Sequence, residues 1–207
     1  MKKPLIFVTN DDGVGAKGLQ SAIRIARKFG RVIAVAPEAC QSGRSHAITM
    51  LSPLYLRKVS EESDLTIYAC DGTPVDCVKL AMDFLLREDK PDYMISGINH
   101  GSNSSIAVIY SGTMGAAIEA SLYDIPSIGL SLLTHDPDAD FEAAEHYGAK
   151  IVGDIIASAA PPPLCLNVNI PAVERSQIRG VRVCRQNRGF FCEDFERRLD
   201  PRGREYF

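Results

Sequence analysis

The 207-residue sequence has no apolar run long enough to cross a membrane, no C-x-x-C pair, no marked excess of charge of either sign and no repeat of fixed period. Each absence removes a class of function. Without a span of about twenty apolar residues there is no membrane helix, and the short apolar run in MKKPLIFVTNDD meets acid too soon to act as a secretory leader. With 23 basic against 26 acidic residues and a net charge of -3, the chain has no electrostatic footprint for a nucleic-acid polymer or an anionic membrane. The six cysteines (Cys40, Cys70, Cys77, Cys165, Cys184, Cys192) are scattered. Cys70, Cys77 and Cys165 sit in apolar stretches, where a reduced thiol acts as a small hydrophobe. These features describe a cytoplasmic, soluble protein with reduced cysteines, in which the glycosylation-like Asn103-Ser104-Ser105 has no meaning.

What is present is an alternation of short apolar runs and amphipathic stretches. The runs LIFVT (5 to 9), RVIAVA (31 to 36), LTIYA (65 to 69), YMISG (93 to 97), SIGLSLL (127 to 133) and LCLNVNI (164 to 170) read as strands. Helical patterns lie at 17 to 29, 71 to 86, from 113 onward and at 141 to 159. Strands without polar alternation are buried on both faces, as in a parallel sheet covered by helices. The expected fold is therefore α/β, a three-layer sandwich with a mostly parallel sheet. The length suits one domain. It is expected over residues 1 to 184, followed at 185 to 207 by an irregular, charged and aromatic extension without a terminating element.

In an open parallel sheet, ligands bind beyond the carboxyl ends of the strands. The polar loops fall there: Thr9 to Gly13, PEACQSGRS (37 to 45), SGINHGSNSS (96 to 105) and YSGTMGAA (110 to 117). The first contains a G-x-G-x-x-G at Gly13, Gly15 and Gly18, with Glu38 where a dinucleotide site would want a ribose partner. Yet Asp11 and Asp12 stand at the same turn, and two carboxylates oppose a pyrophosphate unless a cation neutralises them. Local charge favours a metal. Asp11 and Asp12 with the neutral oxygens of Ser42, Asn99 and Asn103 suit Mg²⁺, Mn²⁺ or Ca²⁺ rather than zinc. The bland alternative is that one aspartate caps the helix beginning near Ala16.

Ser111 and Thr113, with the amides of Gly112 and Thr113 at a helix start, form an anion site or a simple N-cap. Thr73, Pro74 and Asp76 read as a capping box, Asp76 being structural, and Lys79 as a solvated face. His46 and His100 lie in the polar loops and are weaker candidates for proton transfer or substrate contact; His135 and His146 read as solvated. The adjacent aspartates, rather than a pair separated by one residue, favour water over a phospho-aspartate as the route of hydrolysis.

The blocks TNDDGVGAKGL, VAPEACQSGRSHAIT, DGTPVDCVKLA, PDYMISGINHGSN, YSGTMGAAIEAS and IPSIGLSL, in this order, resemble the SurE family of survival-protein nucleotidases; LCLNVNIP and DPRGREYF extend the likeness more loosely. The resemblance implies a Rossmann-like fold. It also implies a phosphatase using one divalent metal ion per subunit (Mg or Mn) on nucleoside 5'- and 3'-monophosphates, with short polyphosphate as a further substrate. Carried over by motif, the metal ligands would be Asp11, Asp12, Ser42 and Asn99, with Asp11 and Asp12 catalytic. Asn103, Ser111, Gly112 and Thr113 would hold the phosphate. Relatives continue past DPRGREYF into a segment of subunit contacts, so a homodimer or homotetramer is expected. A dinucleotide-binding oxidoreductase and a non-catalytic nucleotide sensor are the competing functions.

Overall fold

The computed structural model describes residues 3–159 and 161–207. Strand β1, Leu5–Thr9, is buried at every position, as a β-branched and aromatic run must be when both its faces are covered. It pairs in parallel with β2, Arg31–Pro37, on one side and with β5, Tyr93–His100, on the other. Outward from β2 lie β4, Leu65–Cys70, in parallel, and β3, Leu56–Glu61, antiparallel at the edge. Outward from β5 lie β6, Ser127–Leu133, and β7, Cys165–Pro171, both parallel. The seven-stranded order β3-β4-β2-β1-β5-β6-β7 is the mostly parallel sheet expected.

Side chains of β1 alternate between two apolar layers. Ile6 and Val8 pack with α1, Lys17–Arg27, and α4, Glu142–Ser158. Leu5 and Phe7 pack with α2, Pro74–Leu80, and α3, Gly112–Ser121. Helix α1 comes unusually close to the sheet: a Cβ at Gly18 would stand 1.9 Å from the Ile98 carbonyl oxygen, so only glycine fits there. Helix α2 starts on the expected capping box, with Thr73 Oγ1 accepting from the Asp76 amide and the Asp76 carboxylate from the Thr73 amide, and it continues into a π-helical turn, Ala81–Leu85. Among the described residues no helix is long and apolar enough to cross a membrane.

Four features depart from the sequence reading. Strand β3 was not expected: LRKVSE is a half-charged edge strand, exposed at five of its six positions, without the apolar signal of its neighbours. Strand β5 runs on to His100 through a bulge in which two residues, Gly97 and Ile98, oppose the single Leu130 on β6. Gly97 makes this possible, with φ +125° and the Leu130 carbonyl where a Cβ would sit. Cys165 lies exposed on edge strand β7, whereas Cys70 and Cys77 are buried. The tail is not wholly irregular, since β8, Arg198–Leu199, and β9, Glu205–Tyr206, close a short hairpin around DPRG. Upstream of it, Phe190, Phe191 and Phe195 are exposed.

Candidate active site

The carboxyl ends of β1, β2 and β5 and the start of α3 meet at one end of the sheet. After β1 the chain turns sharply. Asn10 closes the turn, its Nδ2 donating to the Gly13 carbonyl at 3.0 Å and its Oδ1 accepting from the Gly13 amide at 3.3 Å. The Val14 amide then donates to the Pro37 carbonyl at the end of β2, at 2.8 Å. Helix α1 has Ala16 as its N-cap with no side-chain cap, so neither Asp11 nor Asp12 serves the structural role that competed with a ligand role.

Asp11 is buried and faces the start of α3. Thr113 Oγ1 donates to its Oδ1 at 2.6 Å. Gly112 presses on the same side chain, since a Cβ there would lie 2.8 Å from the Asp11 Cβ. Burial pushes the Asp11 pKa up to about 6, the neighbouring Asp12 charge adding to the rise and the Thr113 hydrogen bonds opposing it. Asp12 accepts from the His100 amide at 3.3 Å. Its pKa is also raised by burial, against that bond and the nearby His100 and His135. Ser111 is the N-cap of α3, its Oγ accepting from the Met114 amide at 3.0 Å.

The remaining expected residues arrive from three segments. The bulge in β5 delivers Asn99, whose Nδ2 donates to the Gly101 carbonyl at 2.9 Å, leaving Oδ1 as an acceptor. Asn103 is buried and tied to the far strands: its amide donates to Asn169 Oδ1, its Nδ2 to Ser131 Oγ, and its carbonyl accepts from Asn167. Ser42 is exposed and meets the Cys40 thiol at 3.0 Å. One residue before it, the Gln41 amide donates to the Asp11 carbonyl at 2.7 Å, which seats this segment against the first loop.

The histidines divide differently from the sequence reading. His46 pairs with Glu119 at 2.8 Å, and Lys79 meets the same carboxylate at 2.7 Å, so Lys79 is more than a solvated face. His100 packs edge-on to Phe141. His135 is exposed, as expected, but its ring stands where a Cβ of Gly101 would be, beside Asp12. Its distance in sequence from the other loops hid this placement. Glu119 was missed because a lone acid in GAAIEAS reads as the solvated side of a helix.

Glu38, the ribose partner of a dinucleotide site, instead pairs with Arg57 of β3 at 3.3 Å. The glycine spacing has local causes. Gly13 has φ +105°, Gly18 makes the close approach to Ile98, and Gly15 has nothing within 4 Å of where a Cβ would be.

Two adjacent carboxylates whose ionisation is opposed by burial, with no lysine or arginine paired to either among the described residues, are the chemistry a divalent cation relieves. Among the described residues there is no cluster of three or more histidine, cysteine and acidic side chains. Two carboxylates with neutral oxygens from the neighbouring loops are a set that would suit a hard ion keeping part of its water shell. Thr9 and Ser96, register partners on β1 and β5, also bury hydroxyl oxygens without a hydrogen-bond partner at this end of the sheet, among the described residues.

The model of the family described as survival protein SurE matches residues 6–193. A protein from Flavobacterium psychrophilum named 5'-nucleotidase SurE is 49% identical over all of this chain and 80% of its own length. One of the same name from Phocaeicola vulgatus is 50% identical over all of this chain and 79% of its own. The crystal structure of the SurE protein from Aquifex aeolicus superposes with a TM-score of 0.84 at 35% identity, covering 98% of this chain and 80% of that one.

Proposed function

This chain belongs to the survival protein SurE family, and from that membership we propose that it is a 5'-nucleotidase, hydrolysing nucleoside monophosphates to nucleoside and phosphate with the help of one divalent metal ion. The observation that carries the metal part is the adjacent pair at the end of the central strand, Asp11 buried and Asp12 half-buried, with no lysine or arginine paired to either among the described residues. Asp11 and Asp12 would hold the ion together with the neutral oxygens of Ser42 and Asn99. Mg²⁺ or Mn²⁺ would supply Lewis acidity at the phosphoryl group.

The rest is done by the chain itself. Thr113, donating to Asp11, fixes the orientation of that carboxylate. Ser111, Gly112 and Thr113 lie at the start of α3, where helix amides favour an anion, and with Asn103 they would hold the phosphate. Charge growing on the transferring group is best met by donors already in place, and these are fixed by the helix and by β6 and β7. The substrates in this reading are small: 5'-monophosphates first, then 3'-monophosphates and short polyphosphate, with no nucleic-acid polymer. We assign the protein to the cytoplasm, and the exposed segment from residue 185 to a homodimer or homotetramer contact outside the catalytic domain of residues 1 to 184.

The test is phosphate release from 5'- and 3'-nucleoside monophosphates and tripolyphosphate, with Mn²⁺ or Mg²⁺ and again with excess EDTA. Chelator-sensitive release from the monophosphates is expected. Release untouched by EDTA would remove the metal from the reading, and binding without release would make the protein a sensor.

A further inference from the structure

Glu119 lies two turns into α3, where the buried neighbours on the same helix are glycine, alanine, threonine and methionine. A carboxylate in such surroundings is unfavourable unless it is paired and hydrogen-bonded. Here each oxygen has its own partner: Oε2 takes His46 Nε2 at 2.8 Å and Oε1 takes Lys79 Nζ at 2.7 Å. Burial opposes its ionisation, but the bonds from Lys79 and His46 outweigh that and hold its pKa below the ordinary glutamate value.

The two partners belong to different kinds of structure. Lys79 ties α2 to α3. His46 belongs to the segment from 41 to 49, which has no helix or strand and carries Ser42. That segment lies directly on α3, since a Cβ at Gly115 would meet the Ser45 carbonyl oxygen at 2.7 Å. Apart from the local contact of Ser42 with Cys40, its other attachments involve the main chain on at least one side. The Gln41 amide donates to the Asp11 carbonyl, the Ser45 amide and hydroxyl to the carbonyls of Tyr110 and Ile109, the Thr73 hydroxyl to the Ala47 carbonyl, and the Thr49 amide to Asp76. The His46–Glu119 pair joins side chain to side chain, four residues after Ser42.

We propose that Glu119 is a positioning residue for the metal site: through His46 it pins the 41 to 49 segment to α3 and thereby sets where the Ser42 hydroxyl stands relative to Asp11. The inference rests on the metal reading above. Groups that orient a metal ligand typically change affinity by about 10- to 100-fold when removed. Because Ser42 is exposed and touches little else, its position follows the segment that carries it.

The experiment compares wild type with His46→Ala, His46→Gln and Glu119→Gln. It measures Mn²⁺ affinity by titration calorimetry, KM and kcat on a nucleoside 5'-monophosphate, and amide hydrogen exchange of residues 41 to 49 in EDTA. His46 is partly exposed, so its replacement leaves the core intact. His46→Ala should weaken Mn²⁺ binding about tenfold and speed exchange across the segment, with melting in EDTA near that of wild type. His46→Gln, which can still donate to Glu119, should recover most of the affinity. Wild-type Mn²⁺ affinity in both His46→Ala and Glu119→Gln would overturn the proposal. A wild-type protein that binds no Mn²⁺ would overturn the metal reading itself, and this inference with it.

Discussion

The loops after β1 and β2 meet at the same end of the sheet but are built in opposite ways. Asp11, in the first, is buried and fixed by Thr113 and Gly112, and the loop is closed by Asn10 and leads into a helix that sits on the sheet at Gly18. Ser42, in the second, is exposed on a segment without regular structure that is held by hydrogen bonds from four neighbouring parts of the chain. Charge is thus placed where the protein yields least, and a neutral oxygen where the chain can adjust. Buried charge demands fixed partners because the interior screens it poorly, whereas an exposed hydroxyl can move at little cost.

The largest expected effect breaks the first loop. Asp12→Asn should reduce phosphate release by at least about 100-fold. Its melting temperature in EDTA should equal or exceed that of wild type, because one of two crowded like charges is gone. Near wild-type turnover would place the reaction elsewhere. Ser42→Ala tests the second loop. It should cost about tenfold in Mn²⁺ affinity and leave the urea midpoint unchanged; a loss as deep as that of Asp12→Asn would erase the contrast between the loops.

Acid should separate the loops by a smaller amount. Burial on its own opposes ionisation of Asp76, but hydrogen bonds from Thr49 and Thr73 outweigh it and keep its pKa below the ordinary value. A carboxylate with a depressed folded pKa contributes its stabilisation fully above the unfolded value, near 3.9, and loses it as pH falls through the lower folded value. Below about pH 4 the Thr49 anchor and the α2 cap should weaken together, a lost cap costing about 1 kcal/mol. Urea melts of wild type and Asp76→Asn should converge there while differing at neutral pH. A difference that persists into acid would mean that the Asp76 charge is not the anchor. The smallest effect concerns the glycine that only completes a fingerprint. Gly15→Ala should leave kcat/KM unchanged and raise stability by about 0.5 kcal/mol, whereas a marked fall in activity would mean that this glycine is part of the site.

The central sheet was legible in the sequence because strands covered on both faces are continuously apolar, as in LIFVT and SIGLSLL. The gathering of the polar loops that form the candidate site was legible for the same reason, since polar residues following such runs must fall at the sheet end. What stayed hidden follows a different physics. LRKVSE makes an edge strand by pairing with β4, a long-range contact that leaves no local pattern. The hairpin around DPRG has only two residues in each strand. The nearness of His135 to Asp12, and the double pairing of Glu119, come from folding together segments far apart in the chain. No local signal encodes them.

The contact of Gly18 with the Ile98 carbonyl is made by one main chain against another, and Asn99 follows Ile98 directly. A spacing fixed in this way does not depend on which side chains fill the layers around it. Leucine can replace isoleucine, or methionine valine, on either face of the sheet while the depth of Asn99 relative to the Asp11 loop is inherited unaltered. A chain built in this way can therefore exchange much of its interior and keep the same separation between the Asp11 loop and Asn99, provided that one glycine is kept.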